Sequence, residues 1–164
     1  MDVRIVSRPA FRLAGHAARV PLQHDGVNPA IQQHVRSFAP EEHGRLKELG
    51  DAEPHGLLAV TTDLDPDRRE GTDLTYLHGV AVSDAAEVPD DLDVIPVAAG
   101  AWAVFRAAGP YPDTLQAIWA ATATEWFPSN PWRLRPGPEV VAVIDRADDF
   151  STATVELWLP VEAG

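Results

Sequence analysis

Val155-Glu156-Leu157-Trp158-Leu159-Pro160 alternates without a break. On a strand, Val155, Leu157 and Leu159 point one way, and Glu156 and Trp158 point the other. The first set is a face made to pack on an apolar layer; the second places a carboxylate beside an indole. Such two-sidedness belongs to an antiparallel sheet covered on one face. The stretch therefore predicts an α+β fold: a mostly antiparallel sheet with helices on one face and something other than helix on the opposite face.

Working back from this strand, residues 140–144 read as its hairpin partner, with residues 145–151 as the turn. Residues 113–126 are the clearest helix. Leu115, Ile118, Trp119, Thr122 and Trp126 fall on one side, Asp113 suits the first turn, and residues 127–131 (Phe-Pro-Ser-Asn-Pro) stop it. Before it, residues 93–106 read as one strand bent at Gly100, and Gly109-Pro110-Tyr111-Pro112 as a turn.

The first half repeats this order. Residues 2–15 read as a strand ending near Gly15. Ile31, Val35 and Phe38 have helical spacing after Pro29; Pro40 splits the helical run and Gly50 ends it. Residues 56–62 are a short strand, 63–71 a polar loop, and 72–82 a strand with Leu74, Tyr76, His78, Val80 and Val82 on one face. Pro29 and Pro112 both open helices; Thr72 and Thr152 both open last strands. The reading is one domain over 1–164, built from two pseudo-symmetric strand–helix–strand–strand modules at about 1–84 and 92–162, joined by an acidic linker at 84–92. A ligand groove is expected where the halves meet.

Composition narrows function. Acidic residues outnumber basic ones, 25 to 13, for a net charge of −12. Such a chain repels nucleic acid and anionic lipid and attracts cations. With no cysteine, it has no disulfide, thiolate metal site or thiol nucleophile. No segment has the length of apolar residues that a membrane span needs, and the amino terminus reads as a strand rather than a signal peptide. A cytoplasmic location is expected. The histidines His16, His24, His34, His43, His55 and His78 show no ligand spacing, so neither a metal nor a cofactor is expected. Phosphate-loop, dinucleotide and serine-nucleophile motifs are absent.

The candidate ligand-binding residues follow from the alternation. Trp102 and Val104 share one strand face, with Ala103 and Phe105 on the other. Trp102, Trp158 and Glu156 make an aromatic surface with an acid, suited to a flat aromatic or an amphipathic cation. Tyr76, His78 and Trp132 are further candidates. The same acid, out of water, also suits general acid–base work on an electrophilic substrate. An acidic surface that docks on a basic protein is a third reading.

Several pieces together resemble the GyrI-like small-molecule-binding domains, which are related to the effector-binding domains of AraC-type and MerR-type regulators. They are Tyr76-Leu77-His78-Gly79-Val80, residues 95–105 with the later Gly109, Trp119 with Glu125-Trp126-Phe127-Pro128, Arg135-Pro136-Gly137-Pro138-Glu139, and Glu156-Leu157-Trp158-Leu159-Pro160-Val161. The resemblance implies a pseudo-twofold pair of modules with ligand between them. It implies a stand-alone member that binds hydrophobic or cationic compounds, for sequestration or sensing, or that hydrolyses cyclopropane-bearing natural products with Glu156 as the acid–base group. The chain departs from the family pattern at Val141 and Val143, where many members carry an acid and a tyrosine, and at Trp102, where a tyrosine is common. That departure puts Val141 and Val143 in the expected lining, with Phe105 a further candidate, and leaves Glu156 as the groove acid.

Overall fold

The computed structural model of the chain describes residues 1–23 and 28–164; His24 lies outside the described residues. The fold is α+β with duplicated modules, and the chain forms two compact units. One comprises residues 11–97. The other comprises residues 1–10 and 98–164.

The 11–97 unit contains β2 (Phe11–Pro21), α1 (Pro29–Arg36), α2 (Pro40–Leu49), β3 (Leu58–Thr62), β4 (Asp73–Ser83) and β5 (Asp93–Val97). Its strands run antiparallel in the order β3-β4-β2-β5. Asn28 caps α1, its side-chain oxygen accepting from the Ala30 and Ile31 amides, and Pro29 occupies the first turn. Pro40 opens α2, as the sequence predicts. Ile31 and Val35 pack on Val20, Leu74 and Tyr76; Leu46 packs on Ala14, Val80, Val82 and Leu92. The even-numbered residues of β4 therefore face the helices.

Gly15 does not end a strand. It lies within β2, opposite Gly79 of β4. A Cβ on Gly15 would sit 2.1 Å from the His78 carbonyl oxygen, and one on Gly79 would sit 2.1 Å from that of Ala14. The two backbones approach so closely that only hydrogen fits at either position.

The second unit contains β1 (Asp2–Arg8), β6 (Gly100–Pro110), α3 (Asp113–Ala121), β7 (Trp132–Leu134), β8 (Glu139–Arg146) and β9 (Thr152–Ala163). Its antiparallel order is β1-β6-β9-β8, and β7 pairs with β9 beyond the end of β8. Helix α3 continues through a wide π-type turn at Thr122–Trp126 and a short turn at Phe127–Ser129. The Thr122 and Thr124 hydroxyls donate to the carbonyls of Trp119 and Ala120, competing with the helical ladder where it widens. Ile118, Leu115, Trp119 and Trp126 pack on Ala103, Phe105, Val155, Leu157, Leu159 and Val161. Here the odd-numbered residues face the helix.

Two expected strands are each divided. Residues 2–15 break at Pro9-Ala10 into β1 and β2, and residues 93–106 break at Ala98-Ala99 into β5 and β6. In both cases the leading piece pairs away from its chain neighbour: β1 with β6, and β5 with β2. The compact units thus differ from the expected halves 1–84 and 92–162 by an exchange of these strands. Alternation identifies a strand but not its partner, so the exchange has no local signal. Among the described residues, no helix is long and apolar enough to cross a membrane.

Candidate functional site

Strand register in the 1–10/98–164 unit places Arg4, Val104 and Trp158 in one row, and Arg106, Glu156 and Ala142 in the next. Trp102 pairs with Val6 on one side and Pro160 on the other. All of these lie on the sheet face opposite α3, because their strand neighbours Ala103, Phe105, Leu157 and Leu159 face the helix.

On this face the Trp102 and Trp158 rings meet edge to face, with centroids 6.1 Å apart. Glu156 lies beside the Trp158 ring. Its Oε1 accepts from Trp158 Nε1 at 3.1 Å, and its Oε2 accepts from Arg4 Nη1 at 3.0 Å. Arg106 Nη1 lies 3.5 Å from the same Oε2. The Glu156 side chain is 5% exposed, against 47% for Arg4 and 45% for Arg106. A buried carboxylate is thus held by two half-exposed guanidinium groups and one indole N–H, which satisfies the charge that burial would otherwise penalise. The Arg4 guanidinium carbon also lies 6.0 Å from the Trp158 ring centroid, and that of Arg135 lies 5.2 Å from the Trp102 ring. Arg135 donates in addition to the carbonyls of Ala101 and Val161.

Trp102, Trp158 and Glu156 are therefore brought together as the alternation predicts. Both indoles are buried, at 0% and 1% exposure, rather than lining an open surface. Phe105, Val141, Val143 and Trp132 are not part of this cluster. They pack in the α3-side core, because they have the strand parity, or in the case of Trp132 the β7 position, that faces the helix. Tyr76 and His78 belong to the other unit and sit on its helix-facing side. Arg4, Arg106 and Arg135 were missed. Arg4 and Glu156 are 152 positions apart, and no local spacing announces such a pair.

Four of the histidines that look scattered in sequence converge in the 11–97 unit. His16 from β2, His34 from α1, His43 from α2 and His78 from β4 surround Phe38. Phe38 stacks on His16 at 4.4 Å and on His78 at 6.0 Å, and meets His34 and His43 edge-on. His43 Nδ1 and His78 Nε2 share a hydrogen bond of 2.9 Å. Burial, and then the neighbouring charges of His43, His34 and His16, push the His78 pKa down to about 4. Glu42 lies 3.6 Å from His16 Nε2, and its carboxyl is held below the usual range mainly by its bond to Arg45. Among the described residues, no group of three or more such side chains is placed to hold a metal ion.

No curated protein matches the chain at a significant level. Solved structures do. SAV2435 bound to tetraphenylphosphonium shares 19% identity over 99% of this chain and 94% of its own, with a TM-score of 0.70. The EcmrR C-terminal domain shares 19% identity over 99% and 98%, with a TM-score of 0.59. A hydrolase from Listeria innocua shares 12% over 98% and 91%, with a TM-score of 0.52. At these identities the likeness is one of fold. The model of the GyrI-like small molecule binding domain matches residues 1–162, and the chain belongs to that family.

Proposed function

We propose that this protein binds flat hydrophobic or cationic aromatic molecules, for sequestration or sensing, with Trp102, Trp158 and Glu156 as the contact residues. The observation that carries this reading is the buried Glu156 carboxylate bonded to Trp158, whose ring in turn meets that of Trp102. An acid bonded to one of two packed indoles offers a ligand cation an ion pair with cation–π contact close by. Guanidinium groups already occupy such positions over both rings, so the surroundings accept a delocalised cation there. The tetraphenylphosphonium held by SAV2435 is a hydrophobic cation of this class. Because both indoles are buried, ligand entry must move side chains aside.

The test is a tryptophan-fluorescence titration with tetraphenylphosphonium and with proflavine, a planar cation. Glu156→Gln should weaken both by roughly tenfold or more, the scale of a lost buried charge partner. Trp102→Ala should weaken proflavine comparably. Binding that is unchanged in both variants would overturn the assignment.

A hydrolytic role for Glu156, acting on epoxide- or cyclopropane-bearing aromatics, has less support. Its two oxygens accept from Trp158 and Arg4, an arrangement that holds a charge rather than one that passes a proton. Incubation with such compounds should return them unchanged by mass spectrometry.

A further inference from the structure

We propose that Arg4 is a built-in competitor for the ligand's positive charge and so sets how strongly the site selects cations; this deepens the binding reading above and rests on it. Strand β1 lies at the edge of its unit's strand order and pairs with β6. Its register puts Arg4 opposite Val104, on the face that carries Trp102, Trp158 and Glu156. From there the guanidinium makes both contacts that a ligand cation would seek. It bonds Glu156 Oε2 at 3.0 Å and lies 6.0 Å from the Trp158 ring centroid.

Exposure gives the contact a direction. The Arg4 side chain is 47% exposed and its partner acid is 5% exposed, so the pair meets solvent through the arginine rather than the carboxylate. The other charges on this face are arranged differently. Arg106 is the direct cross-strand partner of Glu156, at the longer distance of 3.5 Å, and Asp2 lies opposite Arg106 on β1. Arg135 is held by backbone carbonyls over the other ring. Arg4 alone among them pairs closely with the acid while also covering Trp158.

A cation arriving at Glu156 exchanges with a guanidinium that already stands half in water. The exchange leaves the charge of the site unchanged, and its cost is the Arg4–Glu156 pair. Removing the Arg4 charge lowers that cost for cations and leaves the potential around the acid more negative. A neutral aromatic gains nothing from the acid.

The experiment uses two probes of one ring frame: proflavine, which is cationic, and acridine at mildly alkaline pH, where it is uncharged. Arg4→Met should bind proflavine roughly three- to tenfold more tightly than the unaltered chain, the range of a partly exposed ion pair, with acridine nearly unchanged. Arg4→Lys, which keeps the charge, should gain less proflavine affinity than Arg4→Met. Thermal melts check folding, and Arg4→Gln repeats the comparison if Arg4→Met does not fold. Proflavine affinity that is unchanged or weaker in the uncharged variants overturns the proposal. So does an equal gain for acridine, which would mean general loosening of the site. If the unaltered chain binds proflavine and Arg4→Met changes nothing, only the competitor role fails. If neither protein binds either probe, the binding reading fails with it.

Discussion

His43 Nδ1 lies 2.9 Å from His78 Nε2, a bond that ties α2 to β4 across the ring of Phe38. One imidazole must donate and the other accept, so the pair requires at least one neutral ring. The neutral His78 is favoured, since burial and the surrounding His43, His34 and His16 lower its pKa from 6.5 to about 4. A histidine whose folded pKa is depressed contributes stability above its unfolded pKa and loses it as pH falls. Stability should therefore decline between about pH 6.5 and about pH 4, by roughly 3 kcal/mol for this group at most. Urea midpoints across that range check the slope. His16, His34, His43 and Glu42 face the same cluster, so His78→Phe isolates the His78 share: its profile should be distinctly flatter.

Leu46 carries the attachment of α2. It is fully buried against Ala14, Val80, Val82 and Leu92. Leu46→Ala removes that contact and leaves a cavity, so a loss of about 2–5 kcal/mol is expected in chemical denaturation. An exposed neighbour on the same helix, Lys47, should tolerate alanine within about 0.5 kcal/mol.

Two glycines make opposite predictions for one substitution. Gly79→Ala drives a methyl to 2.1 Å from the Ala14 carbonyl oxygen, so β2 and β4 must separate at the centre of their ladder. Severe destabilisation or failure to fold is expected, read as loss of soluble protein or of a cooperative melt. Gly44 lies inside α2 with nothing within 4 Å of an added Cβ. Gly44→Ala should stabilise by about 0.5–1 kcal/mol, through helix propensity and reduced freedom of the unfolded chain.

Arg135 holds two backbone carbonyls, those of Ala101 and Val161, and covers the Trp102 ring. Arg135→Met keeps much of the stem but leaves those carbonyls without their donor. A loss of about 1–3 kcal/mol is expected in denaturation, together with a shift in tryptophan emission. An unchanged midpoint would mean that water replaces the guanidinium at no cost.

Element types were largely legible in the chain. Alternation marked the last strand, and Leu115, Ile118 and Trp119 marked α3 through their spacing. Pro40 announced the break between α1 and α2. The same alternation put Glu156, Trp158 and Trp102 on one face. Strand β7 was not legible, because three residues after a proline-rich turn carry no period to read.

What the sequence determined by itself is therefore the order of elements, their duplication and the two-sidedness of each strand, since these follow from local periodicity. Tertiary structure decided which side of each strand meets a helix: odd residues in β9, even residues in β4. That choice sent Phe105, Val141 and Val143 to the α3-side core and put Tyr76 and His78 under the other helices. It also decided the exchange of β1 and β5, the gathering of four histidines around Phe38, and the pairing of Arg4 with Glu156. The physical reason is common to all of them. A two-residue period defines two faces but names neither, and contacts between distant strands depend on the register and partner chosen when the sheet closes.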